Sequence, residues 1–211
     1  MVSQFRCNGS DGYIAWLDNS LQIHETANIN LDDLGYDFDF QVVDSPNVLR
    51  EIIEDMNLIN NKARLVAGYC WDWNSKKNPL MYDIVIPEHD FKMKWNLASD
   101  GSLWIISPES VSEAGCIHTC QGLELDYVGV IIGPDLIVRN GQVITDASKR
   151  SQNDNSIKGW KSLYRANPET TSILLDSIIK NTYRTLMTRG MKGCYIYSQD
   201  AETREYFKKL L

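Results

Sequence analysis

His118, Thr119, Gln121, Gly122 and Glu124 fall within seven consecutive positions, between Ile117 and the apolar run Tyr127 to Ile132. An imidazole, a hydroxyl, an amide and a carboxylate around one glycine offer more hydrogen-bonding capacity than a connector needs. In open α/β sheets, turns beyond strand ends are where ligands sit, so a phosphorylated ligand is expected here. Two arginines extend the same chemistry: Arg6 in Gln4-Phe5-Arg6, and Arg189 at the close of the helical pattern Tyr183 to Gly190. A guanidinium is a fixed positive fork that chelates phosphate oxygens or stabilises charge on a transferring phosphoryl group. Taken singly, each arginine reads equally well as a surface or salt-bridging residue.

Trp71 and Trp73 flank Asp72 at the end of an apolar run, followed by Lys76-Lys77. With Trp95 they offer stacking platforms for bases; packing between elements is the plain alternative. Cys116, His118 and Cys120 alternate and invite a zinc reading. A fourth ligand is missing, and same-face strand neighbours ~7 Å apart chelate poorly, so no metal site is expected. The run Val128 to Asp135 ends an apolar strand with an acid, but its position after the 118–124 turn argues against a Walker B role.

The 211-residue chain is long enough for one large domain or two small ones, and its 43% hydrophobic content is that of a globular protein. No apolar run approaches the ~20 residues of a membrane span. The five cysteines, at 7, 70, 116, 120 and 194, favour reduced thiols and a cytoplasmic setting over a disulfide framework. A net charge of −7 argues against tight non-specific binding to nucleic acid, which scales with the phosphates neutralised, while leaving room for a local basic groove.

The elements that must position these residues alternate. Ser10-Asp11 caps a helix carrying Ile14, Leu17 and Leu21; Phe38, Phe40 and Val42 form a strand; Ser45-Pro46 opens a second helix with Val48, Leu49, Ile52, Ile53 and Met56 as its stripe. Strands are expected at Arg64 to Cys70, Leu103 to Ile106, Cys116 to Thr119, Tyr127 to Ile132 and Cys194 to Tyr197. Asn167-Pro168-Glu169 starts a long helix with Ile173, Leu174, Ile178, Tyr183, Leu186 and Met187 inward and Gly190 as its C-terminal cap, and Ala201 to Leu210 forms a last helix. Residues 140–167, poor in apolar side chains, read as a mobile surface loop, and about 74–102 as an inserted loop or small subdomain. The alternation predicts a single α/β domain over 1–211 with a mainly parallel sheet flanked by helices.

In order along the chain, Phe5-Arg6, the stretch Ile117-His118-Thr119-Cys120-Gln121-Gly122-Leu123-Glu124-Leu125-Asp126 and Leu186-Met187-Thr188-Arg189 resemble motifs IV, V and VI of the C-terminal RecA-like motor domain of superfamily 1 helicases. More narrowly, Gln4 to Ser10, Ala67-Gly68-Tyr69-Cys70-Trp71-Asp72-Trp73, Trp95-Asn96-Leu97 and Thr188 to Gly193 resemble the Schlafen group 3 DNA/RNA helicase-like domain. The resemblance implies a RecA-like fold and an ATP-dependent helicase or translocase. In it Arg6 and Arg189 meet the γ-phosphate, and Gln121, Gly122 and Glu124 approach the nucleotide, with Glu124 near the ribose. His118 and Thr119 lie toward the nucleic-acid strand or relay its presence to the nucleotide. It further implies DNA or RNA, single-stranded, as the track, and an N-terminal motor domain of the same protein as partner. No Gly-x-x-x-x-Gly-Lys-Ser/Thr occurs in the sequence, so ATP with Mg²⁺ would be held mainly by that first domain, and hydrolysis by this chain alone is not expected. The alternative is a RecA-like scaffold or nucleic-acid-docking module without ATPase activity.

Overall fold

The computed structural model describes residues 11–31, 38–96, 104, 107–119 and 124–211. Arg6, Gln121 and Gly122 lie outside the described residues, as do Cys120 and all of Leu103 to Ile106 except Trp104.

Nine strands and five α-helices alternate along the described chain. The main sheet has seven strands in the order β1-β9-β6-β2-β5-β4-β3. These are β1 (Asp39–Val42), β2 (Ala63–Ala67), β3 (Ile84–Ile86), β4 (Phe91–Trp95), β5 (Glu113–Gly115), β6 (Leu125–Ile132) and β9 (Gly190–Ser198), and only β3 runs antiparallel to its neighbour. The helices are α1 (Asp11–Ser20), α2 (Pro46–Asn60), α3 (Trp160–Ala166), α4 (Pro168–Met187) and α5 (Ala201–Lys208), and β7 (Leu136–Arg139) pairs with β8 (Gln142–Thr145) as a separate hairpin. This is the expected α/β architecture with a mainly parallel sheet, consistent with a RecA-like arrangement.

The sheet is covered on both faces, which is why β2 is buried at every position and β6 over its last five. Leu49 and Ile53 of α2 pack with Leu65, Ala67, Ile131 and Tyr195 on one face. On the other, Trp16 and Leu17 of α1, Ile179 and Tyr183 of α4 and Phe207 of α5 pack with Val66, Val128, Val130 and Ile196. The Ser45 hydroxyl accepts from Asn47 N at 3.2 Å with Pro46 in the first turn, as predicted for the start of α2.

Several local expectations shift. The strand expected at Cys116 to Thr119 lies three residues earlier, as β5, and 117–119 form a turn. In α4, Ile173 and Leu174 are exposed and Leu175 takes the inward position with Ile179, Tyr183 and Leu186. Gly190 begins β9 instead of capping α4: a Cβ there would sit 2.0 Å from the Gly193 carbonyl oxygen, so the glycine permits close backbone approach. The 74–102 insertion contributes the β3–β4 hairpin, which joins the main sheet where β4 pairs with β5. The stretch read as a loop over 140–167 instead contains β8, two 3-10 turns and α3. Its few apolar residues mislead, because buried polar groups hold it.

Candidate functional site

The described site residues fall at opposite ends of the parallel strands. At the N-terminal ends of β6 and β9, Glu124 and Arg189 are the residues immediately before each strand. Leu125 pairs with Gly190, and Leu125 N donates to the Arg189 carbonyl at 3.2 Å, which brings the two segments side by side. Glu124 is exposed. Arg189 is buried, 6% exposed, so a bound phosphate would reach its guanidinium only after a shift at that strand end. Nearby, Asp126 accepts from Lys192 Nζ and Asn60 Nδ2, both at 2.8 Å, and the bond from Lys192 holds its carboxyl below the usual aspartate range.

At the C-terminal ends, Trp71 and Trp73 follow β2, and His118 and Thr119 follow β5. His118 is exposed. The Thr119 hydroxyl donates to Asn96 Oδ1 at 2.8 Å and accepts from Cys116 N at 3.3 Å, so it fastens the turn to the residue after β4. Trp71 is tied to the same strand end, its carbonyl accepting from Trp95 Nε1 at 3.2 Å. The Trp95 ring stacks on Tyr69, with centroids 5.5 Å apart. Trp73 is half-buried beneath Lys76, whose ammonium lies 5.4 Å from its ring centroid.

Beside Trp71, at the ends of β2 and β6, lies a cleft of about 860 Å³. Its floor is a charge network that the sequence did not disclose. Arg150 Nε lies 2.6 Å from Asp154 Oδ2 and 3.8 Å from Asp135 Oδ2, all three side chains being fully buried. The Tyr183 hydroxyl donates to Asp135 and accepts from Gly133 N at 2.9 Å. Burial pushes the Asp135 carboxyl above its ordinary range, with Arg150 pulling the other way. Asp135, which could pass for a strand-end metal acid, is therefore committed to a structural cluster. Arg150 and Asp154 carry no periodic or motif signal; the one hint is an acid, Asp135, three residues after the end of β6. Ser151 completes the floor, donating its hydroxyl to Asp72 while its N–H donates to the Tyr69 carbonyl at 2.9 Å.

Among the described residues no cluster of three or more His, Cys, Asp or Glu side chains is placed to hold a metal ion. No helix among them is long and apolar enough to cross a membrane.

Comparison with known proteins bears on this arrangement. The chain is 26% identical to the uncharacterized protein YPL245W of Saccharomyces cerevisiae over 97% of its own length, and spans 46% of that protein. No solved structure matches. The model of the Schlafen group 3 DNA/RNA helicase domain matches residues 1–200. The matched segment holds both strand ends, the insertion and the cleft, and the chain belongs to the Schlafen group 3 DNA/RNA helicase domain family.

Proposed function

We propose that this domain is the second motor half of an ATP-dependent DNA or RNA helicase or translocase. The observation that carries the reading is the pairing of Leu125 with Gly190, which sets Glu124 beside Arg189 although 65 positions separate them in sequence. A nucleotide held by a first motor domain, with its Mg²⁺, would meet this end of the sheet. Arg189 and Arg6 would supply positive charge where the transferring phosphoryl oxygens gain negative charge, and Gln121, Gly122 and Glu124 would approach the ribose and base. An arginine that reaches its target only when two domains close makes hydrolysis conditional on closure; the burial of Arg189 suits such a conditional role. His118 and Thr119, at the far end of the same connection, would couple the nucleotide state to a strand lying against Trp71 and Trp73.

The reading predicts a defined effect of Glu124→Gln in a protein that also carries a Walker A half. The KM for ATP should rise several-fold with little change in kcat, as for a group that binds substrate and transition state alike. An unchanged KM would remove Glu124 from the nucleotide site. The burial of Arg189 also gives weight to the scaffold reading, in which the same fold docks nucleic acid without turnover.

A further inference from the structure

We infer that the cleft between Trp71 and α3 is a groove for single-stranded nucleic acid, built by the segment 147–165 against Trp71 and separate from the stretches that resemble motifs IV, V and VI. The proposal extends the nucleic-acid half of the function proposed above and does not depend on its ATP half.

Topology places the cleft where an open sheet binds ligands. β2 and β6 are adjacent and parallel. The chain leaves β2 toward β4 and β5 on one side, and leaves β6 toward β9 on the other. The carboxyl ends of two such strands diverge and leave a crevice between their outgoing loops. Here one wall is Cys70-Trp71-Asp72 after β2, and the other is the excursion after β6 that reaches α3.

Charge and aromatic content identify the ligand class. In a chain of net charge −7, Lys149, Lys158, Lys161 and Arg165 all line this cleft, and all are exposed. None of the four is in an ion pair among the described residues. The lining carboxylates are largely spent. Asp154 is paired with Arg150, and Asp83 accepts from Ser75 N, Ser75 Oγ and Trp95 N at 2.6–2.8 Å. Trp71 and Trp160 supply flat faces, and Trp160 also lines a second cleft of about 500 Å³, with Lys161, Tyr164 and Arg165. Cations and half-buried aromatic rings together, in two clefts that share Trp160, suit a flexible strand, whose bases stack while its phosphates meet lysines. A duplex presents its bases edge-on and could not use the rings.

The test is the affinity of the full chain for a short fluorescent oligothymidine and an oligouridine, by anisotropy, as salt is raised. Lys158→Glu with Lys161→Glu changes two exposed residues and should leave the unfolding midpoint in place. It should weaken binding by about tenfold or more and lower the slope of log affinity against log salt by about 0.7 per lysine. Trp160→Phe should weaken the oligonucleotides but not polyglutamate, which cannot stack. If the lysine variant binds like wild type while His118→Ala or Trp73→Ala weakens binding, the groove is overturned and the wider reading stands. Equal loss of oligonucleotide and polyglutamate, with no effect of Trp160→Phe, would reduce the cleft to a general anion patch and overturn the groove. A wild-type chain that binds neither oligonucleotide at low salt would overturn both.

Discussion

Arg150 shows how much of this domain depends on single buried charges. Its guanidinium lies between Asp135 and Asp154, with Nη1 also 3.3 Å from the Thr182 hydroxyl. Replacing it with alanine would leave two carboxylates without a counter-charge in a site closed to water. Breaking a buried pair from one side costs about 3–5 kcal/mol. Arg150→Ala should therefore lower the unfolding free energy in urea by that order, with Thr182→Val costing far less; a loss below about 1 kcal/mol would mean that water reaches the cluster. The same residue marks the limit of what is legible in sequence. Glu124 and Arg189 stand out in the sequence because each lies inside an ordered motif. Arg150 does not, since an arginine in a stretch of Asn, Asp, Ser and Lys looks the same whether solvated or buried. Arg64 made the point from the other side. It was legible as part of a strand, but nothing in its neighbours announced a fully buried guanidinium held by Ser110, Asn57 and Asn61, with its pKa lowered by burial to about 10.

Elements were recovered where period and capping agreed. α2 begins at Ser45-Pro46, and β6 lies where a continuous apolar run can only be a buried strand. The inward face of α4 differs from the helical pattern because Ile173, Leu174 and Leu175 are consecutive, so period alone admits any of the three; packing selects Leu175. The hairpin and α5 are joined by a contact that can be tested through pH. Arg139 Nη1 and Nη2 donate to the two carboxylate oxygens of Asp200 at 2.9 and 2.8 Å, linking β7 to the N-cap of α5. Burial alone would raise the Asp200 carboxyl; the bonds from Arg139 and Thr203 outweigh it and hold it below the ordinary aspartate range. A depressed folded pKa gives stability that is complete above the unfolded value of ~3.9 and is lost as pH falls through the folded one. Asp200→Asn keeps a capping side chain but removes the charge. The wild type should exceed it in urea midpoint at neutral pH, and the gap should close below about pH 4. A gap that does not change with pH would assign the contact no electrostatic share.

At the scale of the molecule, the sheet separates two groups of residues. Glu124 and Arg189 stand at the N-terminal ends of β6 and β9; Trp71, His118, Thr119 and the cleft stand at the C-terminal ends of β2, β5 and β6. Both sets of residues stand out in the sequence as motifs, but their opposite placement does not, because it depends on strand order: β5 and β6 are consecutive in sequence yet lie on either side of β2. The most direct test of the motor reading is nucleic-acid-stimulated ATP hydrolysis by a protein that unites this domain with a Walker A half. Wild type would be compared with Arg189→Ala, with ATP binding followed alongside and unfolding midpoints matched beforehand because Arg189 is buried. The account predicts that hydrolysis falls by about 10³-fold or more while binding is largely kept, as for an arginine that acts on the transferring phosphoryl group. An unchanged rate, or a wild-type protein that neither binds nor hydrolyses ATP, would contradict it and leave the domain as a scaffold.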